Sequence, residues 1–318
     1  MPRLLITRPL PDRVIAAARE SFEVTARPLT TPLDRNEMRA ALAEQDAILA
    51  TLGDAFSREV LQAVAEPRCR ILANFGVGYN HIDVDAARAA GIVVTNTPGA
   101  VTDATADIAM TLILMTARRA GEGERLVRSG QWQGWHPTQM LGLHVSGKKV
   151  GIIGMGRIGK AIARRCHFGF GMEVSFFNRS AVADPGVPAQ QMETLAELAA
   201  SVDIVVVAVP GGSATRHLVG AQVLGAMQPH AILVNIARGD VVDEAALIAA
   251  LESGRIGGAG LDVYEHEPVV PAALRGWENV TLLPHLGTAA LEVREAMGLM
   301  AVENLRAFFA GQVPPNRV

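Results

Sequence analysis

The sequence predicts an α/β protein of two doubly wound parallel-sheet domains, and three observations carry that prediction. Short β-branched runs alternate with helical stretches along nearly all of the 318 residues. The alternation stops once, after Pro98-Gly99, and resumes at Lys149. A glycine-rich turn follows the strand at which it resumes. Strands that alternate with helices form a parallel sheet covered on both faces, and at about 150 residues per domain the length allows two such units.

Composition narrows the function classes. Hydrophobic residues make up 49% of the chain and aromatics only 4%, so the cores are aliphatic and disorder is excluded for most of it. With 29 Lys and Arg against 32 Asp and Glu, the net charge is −3, and no basic excess exists to track a nucleic-acid backbone. Cys69 and Cys166 cannot build a disulfide framework at this size; they read as small buried hydrophobes in a reducing compartment. The apolar stretch near Met1 is too short for a signal-peptide core, and Ile108–Ala117 falls far short of the ~20 residues of a membrane span. The expectation is a cytoplasmic protein with no membrane, nucleic-acid or metal partner.

Taken in order, Leu4–Thr7, Phe22–Thr25, Ala47–Ala50, Ile71–Asn74 and Ile92–Thr95 read as strands from their β-branched, apolar runs. Helices fall between them, near Asp12–Ala18, Asp34–Leu42, Ser57–Ala65 and Val84–Ala90, with Ser57 and Asp83 placed as N-caps. A long helix follows over about Thr102–Ala120, then a Gly- and Trp-rich stretch, Gly130–Gly147, with the character of an arm or binding loop. Strands then come at Val150–Ile153, Glu173–Phe177, Ile204–Val209, Ile232–Ile236, Ala259–Val263 and Val280–Leu283. Helices intervene at Arg157–Phe168, Thr194–Ala200, Ala221–Met227 and Asp243–Glu252, where Thr194 and Glu197 form a capping box. Ala289–Ala310 reads as a last long helix.

Gly154-Met155-Gly156-Arg157-Ile158-Gly159 has the spacing of a dinucleotide-binding turn. The spacing alone is weak in so glycine-rich a chain, but its context is specific. It follows an apolar strand and opens a helix whose Ile158, Ala161, Ile162 and Cys166 share one face. There the glycines allow a tight turn, close approach of a pyrophosphate, and packing of helix on strand. At the end of the next strand an NAD site usually carries a carboxylate for the ribose 2′-hydroxyl; here stand Asn178, Arg179 and Ser180. A guanidinium and a hydroxyl suit a 2′-phosphate, so NADP(H) is expected to be preferred, with NAD(H) still admitted.

Ligands of such sheets sit beyond the carboxyl ends of the strands. At that edge fall Arg238, Asp262 with Glu265 and Glu267, and His285 after Pro284: an anion anchor, carboxylates and an acid/base.

At these residues the chain resembles the D-isomer-specific 2-hydroxyacid dehydrogenases. The resemblance rests on Asn235-Ile236-Ala237-Arg238-Gly239-Asp240, on Gly260-Leu261-Asp262-Val263-Tyr264-Glu265-His266-Glu267-Pro268, and on Leu283-Pro284-His285-Leu286-Gly287-Thr288. Asn96-Thr97-Pro98-Gly99 and Gly76-Val77-Gly78 fit as well, so it covers nearly the whole chain. Gly130-Gln131-Trp132-Gln133-Gly134-Trp135 and the Asn178-Arg179 pair look most like the glyoxylate/hydroxypyruvate reductase branch.

The resemblance implies a Rossmann cofactor domain, residues 100–288, inserted in a flavodoxin-like substrate domain, residues 1–99 and 289–318. It makes Arg238 the substrate-binding arginine, Glu267 the partner of the histidine, and His285 the acid/base that protonates a 2-oxo acid as hydride arrives. Glu265 is then expected to be a solvated loop charge. Gly76, Val77 and Gly78 would hold the substrate carboxylate through backbone N–H groups, with Leu52 and Gly53 beside them. Asp262, His285 and Gly287 are implied nicotinamide contacts, Val209 and Pro210 the adenosine side, and Asp107 stands where the family often has Glu. Trp132 and Trp135 read as closing the pocket, packing at a dimer interface, or simply core. The arm Ala100–Gly147 suggests a homodimer. Other readings stay open: a phosphoglycerate-, lactate- or phosphite-type dehydrogenase of the same fold, or a dinucleotide-sensing corepressor-like binding protein.

Overall fold

The computed structural model describes all 318 residues, which divide into two compact units, Met1–Val101 with Thr288–Val318, and Thr102–Gly287. The first unit runs β1 (Arg3–Ile6), α1 (Asp12–Arg19), β2 (Glu23–Ala26), α2 (Arg35–Glu44), β3 (Ala47–Thr51), α3 (Arg58–Gln62), β4 (Ile71–Phe75), α4 (Val84–Ala89) and β5 (Val93–Thr95). The second comprises α5 (Thr102–Ala117), α6 (Ala120–Arg128), β6 (Lys149–Ile153), α7 (Arg157–Arg164), β7 (Glu173–Phe177), β8 (Ala189–Gln191), α8 (Leu195–Ser201), β9 (Ile204–Val207), α9 (Ala221–Ala226), β10 (Ile232–Asn235), α10 (Glu244–Glu252), β11 (Gly258–Leu261), α11 (Ala272–Gly276) and β12 (Val280–Leu282). The chain then returns to the first unit as α12 (Leu291–Phe309).

In the first unit the order is β2-β1-β3-β4-β5, all parallel, the doubly wound arrangement of flavodoxin-like sheets. Period-two alternation sends Ile48 and Ala50 of β3 into one core and Ala47 and Leu49 into the other. Helix α12 packs on β4 and α1, where a Cβ at Gly298 would stand 2.4 Å from Val14 Cγ2. Only glycine lets these two helices approach so closely.

The second sheet has the order β12-β11-β10-β9-β6-β7-β8, again all parallel. Its winding reverses between β6 and β9, the switch point at which open α/β sheets take ligands. Helix α5 seats on β10 and β11, and Cβ atoms at Gly260 would come 2.9 Å from Thr116 Oγ1 and 3.1 Å from Leu112 Cβ. The expected two doubly wound sheets are thus present.

Local chemistry explains most element ends. Asp34 with Glu37, and Thr194 with Glu197, close capping boxes on α2 and α8; Asp83 and Asp243 cap α4 and α10. Ser57 precedes α3 as expected, but its hydroxyl goes to Glu59 rather than to the helix. The long helix expected to Ala120 ends at Ala117, because Arg119 is left-handed (φ 53°) and pairs through two hydrogen bonds with Glu122 of α6. The helix expected to Phe168 loosens into a π turn from Arg165 to Gly169. No helix is long and apolar enough to cross a membrane.

Candidate active site

Two of the three glycines in the turn are required by close packing, and the third leaves open space. Gly154 leaves β6 with φ +101°, and a Cβ there would press on Val209 Cγ1 at 2.7 Å and Ala208 O at 2.8 Å. A Cβ at Gly159 would lie 2.0 Å from Gly154 O, which locks the first turn of α7 onto the loop. At Gly156, the N-cap, a Cβ would meet open space, and neither a side chain nor an acidic residue of the first turn occupies the helix N-terminus. A cradle of backbone N–H groups at the positive end of a helix, with room left by a glycine, fits a dinucleotide pyrophosphate.

The loop after β7 is tied to this turn. Met155 N–H donates to Asn178 Oδ1 at 3.3 Å, and Asn178 Nδ2 donates to Ser180 O at 3.1 Å. Gln191, at the end of β8, donates to the carbonyls of Asn178 and Ser180 and accepts from Val182 N–H. Arg179 stays exposed beside Ser180, and no carboxylate pairs with it.

Three neighbouring strands bring the titratable residues to the same edge. Beyond β10, buried Asn235 accepts from Ala237 N–H and donates to Arg238 O, and this shapes the turn that presents Arg238. Burial pushes the Arg238 pKa down, opposed by Glu267 and Asp240, and a guanidinium stays charged regardless. Beyond β11, Asp262 is 1% exposed and accepts from Leu286 N–H at 2.6 Å and Gly287 N–H at 2.9 Å. Burial raises its pKa against those two hydrogen bonds and the nearby His285.

Asp262 O also accepts from His285 N–H at 2.9 Å, and His285 is left-handed, with φ 56°. Such a conformation in a non-glycine residue is held by its surroundings, here by the Asp262 hydrogen bonds on both sides of the turn. His285 Nδ1 lies 2.9 Å from Glu267 Oε2, while Glu267 Oε1 accepts from Tyr264 N–H at 3.1 Å. That pairing places a proton on Nδ1 and leaves Nε2 facing away from the carboxylate. Burial pushes the Glu267 carboxyl up, but His285, Tyr264 N–H and Arg238 outweigh it and hold it below its ordinary 4.5.

Residues 110–287 match the family described as D-isomer specific 2-hydroxyacid dehydrogenase, NAD binding domain. The chain is 44% identical to the glyoxylate reductase of Thermococcus gammatolerans and 43% identical to that of Pyrococcus furiosus; each alignment covers 100% of it and 96% or 95% of the relative. This chain belongs to the D-isomer-specific 2-hydroxyacid dehydrogenase family. Solved structures agree. An NADPH-dependent glyoxylate/hydroxypyruvate reductase from Sinorhizobium meliloti, in complex with NADP and malonate, superposes with TM-score 0.89 at 38% identity, covering 100% of this chain and 96% of that one. A 2-hydroxyacid dehydrogenase from Ketogulonicigenium vulgare does so with TM-score 0.85 at 35% identity, covering 100% and 98%.

In this dehydrogenase the first unit places its own candidates after β3 and β4. Asn74, nearly fully buried, donates to Gly76 O and Gly78 O; Asn96 donates to Val77 O, and Thr97 N–H to Gly76 O. With its carbonyls held, the turn offers the N–H groups of Val77 and Gly78, while that of Gly76 is already bonded to Asn74 O. Leu52 and Gly53 follow β3, where buried Asp54 accepts from Thr51 N–H, the Thr7 hydroxyl and Leu33 N–H and pins the turn. A Cβ at Gly53 would strike Arg8 Nη2 at 2.8 Å.

Some expectations are corrected. Glu265 is not a solvated charge: its side chain is 10% exposed and accepts from His217 and Arg216. Trp132 and Trp135 are not core residues, being 51% and 79% exposed. Asp107 is paired with Arg165 on the α5 surface. Gln191 has no signature in sequence, since glutamine carries no motif signal and β8 is a three-residue polar strand.

Proposed function

We propose that this dehydrogenase reduces small 2-oxo acids, glyoxylate and hydroxypyruvate first among them, to 2-hydroxy acids with NADPH preferred over NADH. The observation that carries this reading is the alignment of Arg238, Glu267 and His285 at one sheet edge, shared with the glycine turn, with Glu267 seated on His285 Nδ1. Gly154, Gly156, Arg157, Ile158 and Gly159 would hold the pyrophosphate. Asn178, Arg179 and Ser180 would take a 2′-phosphate, Val209 and Pro210 the adenosine side, and Asp262 and Gly287 the nicotinamide side. When bound, the reduced nicotinamide supplies hydride to the ketone carbon.

The chain's own residues then have distinct roles. Glu267, ionised, stabilises the doubly protonated His285 ring and fixes its orientation, so that the Nε2 proton is available to the carbonyl oxygen. Arg238 holds the 2-oxo acid and stabilises charge developing on that oxygen. Val77 and Gly78 N–H groups, with Leu52 nearby in the same unit, would receive the substrate carboxylate. The unit Thr102–Gly287 is thereby the cofactor domain and the other the substrate domain. A homodimer formed through the arm Ala100–Gly147 is supported by the exposed Trp132, Trp135 and Leu141. A reducing, cytoplasmic setting suits two free cysteines whose thiols burial pushes up to about 12.

Absorbance at the reduced-nicotinamide band, followed with a panel of 2-oxo acids and with NADPH and NADH in parallel, tests the proposal. Fast oxidation of NADPH by glyoxylate or hydroxypyruvate is expected. No oxidation by either acid, with NADPH or NADH, would overturn it.

A further inference from the structure

One titratable cluster lies outside the residues given roles above. Glu265 Oε1 accepts from His217 Nε2 at 2.9 Å and from Arg216 Nη2 at 3.1 Å, and Glu265 N–H points to Glu244 Oε2 at 3.4 Å. His217 is left-handed (φ 50°), its N–H donates to Asp240 O at 2.7 Å, and its Nδ1 lies 3.9 Å from Asp243 Oδ2. Strain of this kind persists only where the surroundings over-determine it. The backbone at Tyr264 and Glu265 is in turn packed against Gly239, where a Cβ would lie 1.8 Å from the Tyr264 carbonyl carbon. Glu265 is two residues from Glu267, within ~7 Å along the chain, so a displacement of one is felt by the other.

We propose that Glu265 and His217 form a positioning clamp that holds the Tyr264–Glu267 turn so that Glu267 stays on His285. The clamp rests on the active-site reading above and adds to it a pair that touches neither substrate nor cofactor. A nearly buried carboxylate needs paired donors, and His217 and Arg216 are those donors. Without them Glu265 must move toward water, and the turn moves with it. Glu267, whose side chain is 31% exposed, would then lose the bonds from His285 and Tyr264 N–H that hold its carboxyl down, and its pKa would rise.

The test uses the full-length enzyme with glyoxylate and NADPH. Glu265→Ala is expected to lower kcat about 10- to 100-fold with little change in KM for glyoxylate, and to move the low-pH limb of kcat to higher pH. Glu265→Gln keeps an acceptor for His217 and is expected to restore most of kcat. Should Glu265→Ala fail to fold, His217→Ala is expected to give the same kcat loss and limb shift. Unchanged kcat and an unmoved limb, with only a lower Tm, would overturn the clamp and leave a plain structural ion pair. Glu267→Gln separates the two readings. Wild-type turnover in Glu267→Gln overturns the active-site reading and the clamp with it, whereas loss there beside an unaffected Glu265→Ala overturns the clamp alone.

Discussion

Glu267 stabilises the His285 ring with one oxygen and anchors its own turn through Tyr264 N–H with the other. Its carboxyl is held below 4.5, so turnover that needs it ionised is fully present above that value and is lost as pH falls through the lower folded pKa. A pH–rate profile is expected to show this acid limb in the wild type and to lose it in Glu267→Gln. His285→Ala is expected to lower kcat by about 10²- to 10⁴-fold while NADPH binding, followed by fluorescence titration, is nearly intact. Near-normal kcat would remove His285 from its role. Calorimetry with 2′,5′-ADP and 5′-AMP tests the proposed 2′-phosphate site apart from catalysis. Arg179→Ala is expected to weaken 2′,5′-ADP with 5′-AMP unchanged, and Gln191→Ala to do the same more mildly by freeing the loop it staples. Arg179 is a candidate from sequence because a missing carboxylate is visible in a one-dimensional string. Gln191 is not, because its hydrogen bonds reach back to residues 178–182 across a strand pairing that only the fold creates.

At the scale of elements, the glycines that matter are those against which another element closes. Gly159→Ala drives a methyl group to 2.0 Å from Gly154 O, and is expected to open the turn below α7 and abolish 2′,5′-ADP binding. Gly298→Ala sets a methyl against Val14 between α12 and α1; overpacking of this kind costs about 1–3 kcal/mol. Thermal denaturation is expected to show a lower Tm for it, with 2′,5′-ADP affinity retained, since that contact lies within the first unit. An unchanged Tm would mean that α12 shifts freely. Long, strongly periodic strands and helices were legible in sequence. The break at Arg119 and the π turn at Arg165 were not, since propensity continues through both; side-chain pairing with Glu122 accompanies the first and no cause is evident for the second. Short β8 and α11 lack the length to show a period.

For the whole molecule, the residues after α6 present Trp132, Trp135 and Leu141 to solvent, the last 69% exposed. On the dimer reading proposed above, these side chains are the ones a partner copy would cover. Sedimentation is expected to give twice the 33.6 kDa chain mass, and Trp135→Glu with Leu141→Glu to give the chain mass; a wild-type monomer at micromolar concentration would end the dimer reading. What the sequence determined by itself was the alternation of strands and helices, the glycine turn, and the order of the motifs that place Arg238, Glu267 and His285 at strand ends. Those are local: periodicity, turn chemistry and spacing act within a few residues. Only the tertiary structure decided that Asp262 turns inward to hold the His285–Gly287 backbone, that Glu265 is buried on His217, and that Gly76 spends its N–H on Asn74. Each of these depends on which polar groups lose water together, and burial is a property of the packed chain rather than of any stretch of it.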